Sequence, residues 1–302
     1  MHLAQAGILA PVPSVGRYLF FALNPVDHDQ QTLRTCLLEL TALVDGMQIV
    51  VGLGANLLQT LGAYVPGLHT LAAIESHGIR VPSTPSDLCC WLRGDDRGDL
   101  VHLARKLEKV LTPALTMTQV IDSFRYGRGP NGHGRDLTGY EDGTENPVGE
   151  EALQAALVPG AQPGLAGSSF MAVQQWRHNL DAFEAMSTGA QDHTFGRRRT
   201  DNEELDDAPA SAHVKRAAQE DFEPPAFVLR ASMPWAVGKE AGLVFVAFGQ
   251  SFDAFEALLH RMTGQDDGVT DALFIISQPI TGAFFWCPPM HQNHLDLRQL
   301  GL

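Results

Sequence analysis

No run of apolar residues in this 302-residue chain approaches the roughly 20 needed to cross a bilayer. The opening residues, MHLAQAGILAPVPSVGRYLF, carry no basic region ahead of their short apolar stretch, so neither a secretory signal nor a membrane anchor is expected. Cysteine is scarce: Cys36, Cys89, Cys90 and Cys287 form no CxxC and no Cys/His metal spacing. The adjacent pair cannot easily bridge to itself, and all four read as reduced core thiols of a cytoplasmic protein. Positive charge is in deficit, with 21 Lys and Arg against 35 Asp and Glu and a formal net charge of -14. A nucleic-acid partner is disfavoured on that ground, because phosphates need a basic surface to meet them. The one basic cluster, Arg197 to Arg199 in FGRRRTDNEELDD, runs straight into acids and reads as a solvated face. No GxGxxG opens a helix after a strand, which leaves a nucleotide cofactor without support.

What is present is an ordinary globular composition, 44% apolar and 19% charged, long enough to bury a full core and to make two modest domains. Strand-then-helix patterns recur: RYLFFALN before DQQTLRTCLLELTALVDG, MQIVVGLG before ANLLQTLG, and DLCCWLRG before DLVHLARKLEKVL. In the second half, SSFMAVQQWRHN precedes LDAFEAMS and GLVFVAFG precedes QSFDAFEALLHRM. VVGLGANLLQTLG and FVAFGQSFDAFEALLHRM share one design, which suggests two copies of a single unit. AFVLRASMPW and ALFIISQPITGAFFWCPP read as late strands. The pattern predicts an α+β protein of two domains, each an antiparallel sheet backed by helices, rather than a doubly wound parallel sheet.

Two irregular segments stand out. Residues 126–163 are rich in Gly, Pro and charge, too long for a plain hairpin and too polar for core, and connections of this kind are usually functional or disordered. Within them GYEDGTENP sets Glu141, Asp142 and Glu145 into a tight turn between glycines and a proline. Residues 187–224 are similarly irregular and hold His193 and His213, so the two loops could meet over a ligand. Most of the histidines need no special role; His28, His69, His77, His102 and His178 read as surface or packing residues. His213 differs, sitting in APASAHVKRA at an apparent helix start. Arg230 interrupts the apolar strand FVLRASMPW, where an arginine needs solvent, an anion or a polar cavity.

Together these segments resemble the dye-decolourising peroxidases. GYEDGTENP is similar to that family's GxxDG signature, AFVLRASMPW to the strand bearing its distal arginine, and SAHVKR to the segment of its haem-ligating histidine. MTGQDDGVTDALFIISQPITGAFFWCPP is similar to its closing DGxxD and TGxYxxxPP block, so the resemblance runs from about Asp122 to Pro289. It implies two ferredoxin-like domains, residues 1–130 and a haem-holding 131–302, and it points to the compact intracellular (B-type) subgroup. It implies haem b with His213 as the iron ligand, leaving the opposite position for hydrogen peroxide. A carboxylate on the other imidazole nitrogen should come from DDGVTD, Asp271 ahead of Asp267. Asp142 is the implied distal proton shuttle and Arg230 the charge stabiliser, with Ser232 on the same strand face as Arg230 orienting water. Gly143 and Thr144 would lie against the cofactor, and Arg197 would pair with a propionate. Tyr140 departs from the phenylalanine frequent in the family; Glu141 and Glu145 are expected to face solvent or brace the loop. The implied partners are peroxide and a bulky aromatic reductant oxidised by one-electron steps, with assembly as a homo-oligomer. A haem-handling protein with incidental peroxidase activity is the alternative, and a binding module without haem the third reading.

Overall fold

The computed structural model describes residues 3–24 and 29–302. In the first half, β1 (Val15–Leu23), α1 (Gln30–Thr41), β2 (Ile49–Leu53) and the short α2 (Ala55–Thr60) lead to a hairpin of β3 (Ile74–Ser76) and β4 (Ile79–Val81). β5 (Leu88–Gly94), α3 (Arg97–Leu111) and β6 (Leu115–Phe124) complete it. The second half runs through α4 (Glu150–Ala156), β7 (Ser169–His178), α5 (Leu180–Glu184), α6 (Thr188–Phe195) and α7 (His213–Arg216). It continues with β8 (Leu229–Arg230), β9 (Met233–Val237), β10 (Glu240–Gly249), α8 (Asp253–Met262), β11 (Ser277–Pro279) and β12 (Ala283–Cys287), and ends in a short hairpin of β13 (Met290–His291) and β14 (His294–Leu295).

The main strands pair antiparallel in the order β2-β5-β1-β6-β9-β10-β7-β12, and β12 returns to β2, so the sheet closes on itself. The two halves meet through single residue pairs, Ser123 with Trp235 and Trp286 with Leu53. β8 continues the pairing of β9 along β10, and β11 that of β12 along β7.

Alternation along each strand sorts the side chains into two cores. Tyr18, Phe20, Cys89, Trp91, Met171, Val173, Val244, Val246, Phe248 and Phe285 fill the inside of the barrel. Trp91 stacks there on Tyr18 at 5.8 Å between ring centroids, so the barrel is a packed core and not a pore. The intervening residues, such as Leu19, Phe21, Val51, Cys90 and Leu92, face outward beneath the helices. Cys89 and Cys90 thus point into different cores, and all four cysteines are buried and free. Helix α3 covers the outer face with Leu100, Ala104, Leu107 and Leu111, one stripe at helical spacing. Asp96 caps it, accepting from the backbone N–H groups of Gly98 and Asp99.

Two expectations need correction. β2 and β10 do not hold equivalent places: β2 pairs with β5 and β12, whereas β10 pairs with β7, β8 and β9. The counterpart of β10–α8 is β5–α3, since each is a strand flanked by the first and second strands of its own half and followed by a long helix. Second, ALFI is not strand but a single 3-10 turn over Ala272–Ile275, because the Asp271 side chain accepts the Leu273 N–H and starts a turn.

Candidate active site

Period two along the strands also builds the site. The outer face of the second-half sheet carries Gln174, Trp176 and His178 on β7, with Leu243 and Phe245 opposite them on β10. Between this face, α8 and the two irregular segments lies a cleft. Its inner part, about 90 Å³, is apolar and walled by Val228, Phe255, Leu258, Leu259 and Leu273. Its outer part, about 280 Å³, is lined by Asp136, Tyr140, Gly143, Thr144, Arg197 and Asn202. Asp142, His178, His213 and Arg230 line both parts. A larger groove of about 960 Å³ lies on the far side of residues 144–147, but it holds carboxylates and no histidine or arginine. It therefore offers a metal cofactor no imidazole, and the chemistry belongs in the smaller cleft.

His213 opens α7, and its Nδ1 lies 2.7 Å from Asp271 Oδ2, a carboxylate whose side chain is wholly buried. That contact leaves Nε2 for the cleft. Asp267 is occupied elsewhere, holding the Arg216 guanidinium through two contacts of 2.8 Å. Arg216 pulls the Asp267 carboxyl below its ordinary range.

Across the cleft, Arg230 Nη1 is 3.9 Å from Asp142 Oδ1. Arg230 Nε is buried without a hydrogen-bond partner, and so is Nε2 of Gln174 on the same wall. Two orphaned donors in one cleft fit a site completed by an acceptor-bearing ligand. The Asp142 loop is shaped by Gly139 at φ +90° and Gly143 at φ +81°, values that a side chain would strain. It is clipped to β8 by Asn146, whose Oδ1 accepts the Arg230 N–H at 2.9 Å and whose Nδ2 donates to the Arg230 carbonyl at 2.7 Å.

The remaining candidates sit as follows. Thr144 Oγ1 accepts from Asn202 Nδ2 at 3.1 Å. Arg197 lines the cleft but is paired with Glu145 at 2.6 Å and Glu204 at 3.6 Å. Ser232 keeps the strand face of Arg230 yet does not line the cleft; its hydroxyl accepts the Val246 N–H at 3.4 Å. Glu141 braces the loop by accepting the Asn131 N–H.

A model of the family described as "Dyp-type peroxidase, C-terminal" matches residues 133–292. A dye-decolorizing peroxidase of Mycolicibacterium paratuberculosis is 30% identical over 300 residues, covering 93% of this chain and 82% of its own. The chain belongs to the dye-decolourising peroxidase family. It is an oxidoreductase of the peroxidase type. Among solved structures, a putative dyp-type peroxidase of Shewanella oneidensis superposes with a TM-score of 0.84 at 29% identity, over 97% of this chain and 96% of that one. A DypB variant of Rhodococcus jostii RHA1 in complex with heme gives a TM-score of 0.85 at 26% identity, over 95% and 97%.

Within this family member, one network escaped the sequence reading. His178, expected on the surface or in packing, lies on the cleft wall with its side chain 4% exposed. Its Nε2 meets Asp136 Oδ1 at 2.9 Å and its Nδ1 meets Ser277 Oγ at 2.7 Å. Burial pushes the Asp136 carboxyl up, but His178 and Thr138 outweigh it and hold it below its ordinary range. The signal available was Gln174 and His178 on either side of Trp176 along one strand face, polar residues where a covered sheet should be apolar. His28 falls outside the described residues. Among the described residues, no helix is long and apolar enough to cross a membrane.

Proposed function

We propose that this family member is a haem peroxidase, with haem b in the cleft, that uses hydrogen peroxide to oxidise dyes, phenols and other bulky aromatic compounds by one-electron steps. The observation that carries the reading is the facing pair across one cleft: His213, oriented by buried Asp271, and Arg230 with Asp142 opposite. The fit is supported by the donor set, by the orphaned Arg230 and Gln174 donors, and by an apolar wall suited to a flat macrocycle.

His213 would hold the iron through Nε2, with Asp271 accepting the Nδ1–H and making the imidazole a stronger donor. Haem, when bound, supplies the redox chemistry. Asp142 would accept a proton from one peroxide oxygen and return it to the other. Arg230, whose guanidinium already stands in the cleft, would stabilise the negative charge that develops as the O–O bond breaks. Gly143 and Thr144 would lie along the cofactor's face, and Arg197 would have to exchange Glu145 for a propionate. Ser232 is a weaker member, one pair beyond the cleft lining. Carriage of haem alone needs neither Asp142 nor Arg230, which disfavours the haem-handling alternative.

The same reading takes the two halves, residues 1–130 and 131–302, as ferredoxin-like domains whose strand order repeats. Four buried free thiols support a reducing, cytoplasmic setting. An absorption spectrum of the haem-reconstituted protein tests the core of the proposal. A Soret band that changes on adding peroxide is expected, and His213→Ala should lose it. A variant that keeps an unchanged band would overturn the assignment of His213.

A further inference from the structure

The four tryptophans are all buried, so a reductant too bulky for the cleft must be reached through something else. Of the four tyrosines, Tyr64 and Tyr126 are exposed, at 73% and 44%. Tyr18 is sealed inside the barrel. Tyr140 is different: 3% exposed, it lines the cleft shared by His213 and Arg230, two residues before Asp142. Its hydroxyl donates to Asp192 Oδ1. Its ring stacks on Phe195 at 4.0 Å and meets Phe183 edge-on at 6.2 Å. Asp192 is placed by α6 and also accepts the Arg199 N–H at 3.2 Å.

Resting on the peroxidase reading above, we infer that Tyr140 is a redox-active residue of this site, oxidised by one electron with its proton passing to Asp192. Hydrogen peroxide takes up two electrons and two protons in becoming two waters; Tyr140 furnishes one electron, an aromatic reductant furnishes the other, and the protons come from solvent. Its O–H bond breaks, the proton moves along the existing hydrogen bond to Asp192 Oδ1, and a neutral phenoxyl radical faces a carboxylic acid. An aromatic reductant then returns one electron, and Asp192 returns the proton.

The geometry suits this step in three ways. The acceptor is already bonded to the phenol, so no rearrangement accompanies proton loss. Burial, then the Asp192 contact, pushes the Tyr140 phenol well up, so it stays protonated and can lose an electron only together with its proton. The stacked, enclosed ring keeps the radical from direct contact with solvent. The main chain of exposed Tyr126 is bridged to Arg135, and Arg135 to Glu141, the residue after Tyr140, so the two segments run about two strand spacings apart.

Rapid-freeze electron paramagnetic resonance of the haem-loaded protein after peroxide addition tests the inference. Protein carrying ring-deuterated tyrosine should show a narrowed radical signal, which identifies tyrosine. Tyr140→Phe, which keeps the stacked ring, should lose that signal while retaining the Soret band. Asp192→Asn, which leaves the phenol without a proton acceptor, should also lose it. A deuterium-sensitive signal of undiminished yield in Tyr140→Phe would overturn the inference alone. A wild-type Soret band that peroxide leaves unchanged would instead overturn the peroxidase reading and this inference with it.

Discussion

Arg230 is an arginine in a strand of apolar residues, and its position explains what the residue costs and what it does. A guanidinium with a buried, unpartnered Nε is paid for only when an anion arrives. Arg230→Leu should therefore keep haem, since the residue is not a ligand, and slow the reaction with peroxide by about two orders of magnitude, the effect of removing ~3 kcal/mol of preorganised charge stabilisation. Asp142→Asn should slow it less, because water in the open part of the cleft can carry a proton but not a fixed positive charge. Stopped-flow absorbance reads both, and a near-wild-type rate in the Arg230 variant would reverse the ranking. His213 and Arg230 stood out in the sequence by their settings, a helix start in an irregular segment and an apolar strand, whereas Asp142 was legible among the three acids of one turn only through the family resemblance. Asp136 and His178 were not, being 42 residues apart and joined only when the loop folds back onto β7. Asp271 was reachable only through the family resemblance, since nothing local in DDGVTD points at a histidine 58 residues away.

At the scale of elements, the decisive piece is the loop of residues 139–147. It carries Asp142 on its inner side, and Asn146 ties it to the main chain of Arg230 from both N–H and carbonyl. One side chain thus ties the Asp142 loop to the strand of Arg230, the pair proposed to meet peroxide. Replacing Asn146 with alanine removes both hydrogen bonds and should cost ~2 kcal/mol in urea unfolding, within the range for leaving partly buried polar groups unmet. It should also lower the peroxide rate without removing the Soret band. Asn146→Asp keeps the acceptor for the Arg230 N–H and should lie between. An alanine variant with wild-type stability and rate would show that the loop is held elsewhere. Strands and long helices were readable from periodicity, as the stripe on α3 illustrates. The failures came where a local hydrogen bond overrode apolar composition. Asp271 turns ALFI into a 3-10 segment, and the shared glycine ending of VVGLG and FVAFG reflects strand exit rather than equivalent position.

The whole molecule is an acidic, closed barrel, and the carboxylates and the histidine whose pKa values shift lie outside the barrel interior, so its response to pH below neutrality comes from the outer shell. Burial raises Asp136, but hydrogen bonds from His178 and Thr138 more than offset it. Asp267 is lowered by the Arg216 guanidinium, and Asp296 by that of Arg298. A carboxyl whose folded pKa lies below its unfolded value of about 4 contributes stability fully above that value, and the contribution is lost as pH falls through the folded pKa. His69 runs the other way: burial lowers it, the Glu256 contact outweighs burial, and its contribution is present below about 6.5 and lost as pH rises through the folded pKa. The melting temperature should therefore fall steeply below pH ~4 and change little between pH ~5 and ~6. Loss of negative charge from the 35 acidic residues also reverses the formal charge of -14, and self-repulsion adds to the acid limb in every variant. Asp136→Asn separates the two effects, because it removes one lowered carboxyl and leaves the global charge nearly unaltered. Its melting temperature should be lower than wild type at pH 7 and converge on it only once the pH has fallen through the lowered Asp136 pKa, where the wild-type carboxyl is itself protonated. A constant offset across that range would mean that the Asp136–His178 contact holds the cleft wall by shape alone and not by charge.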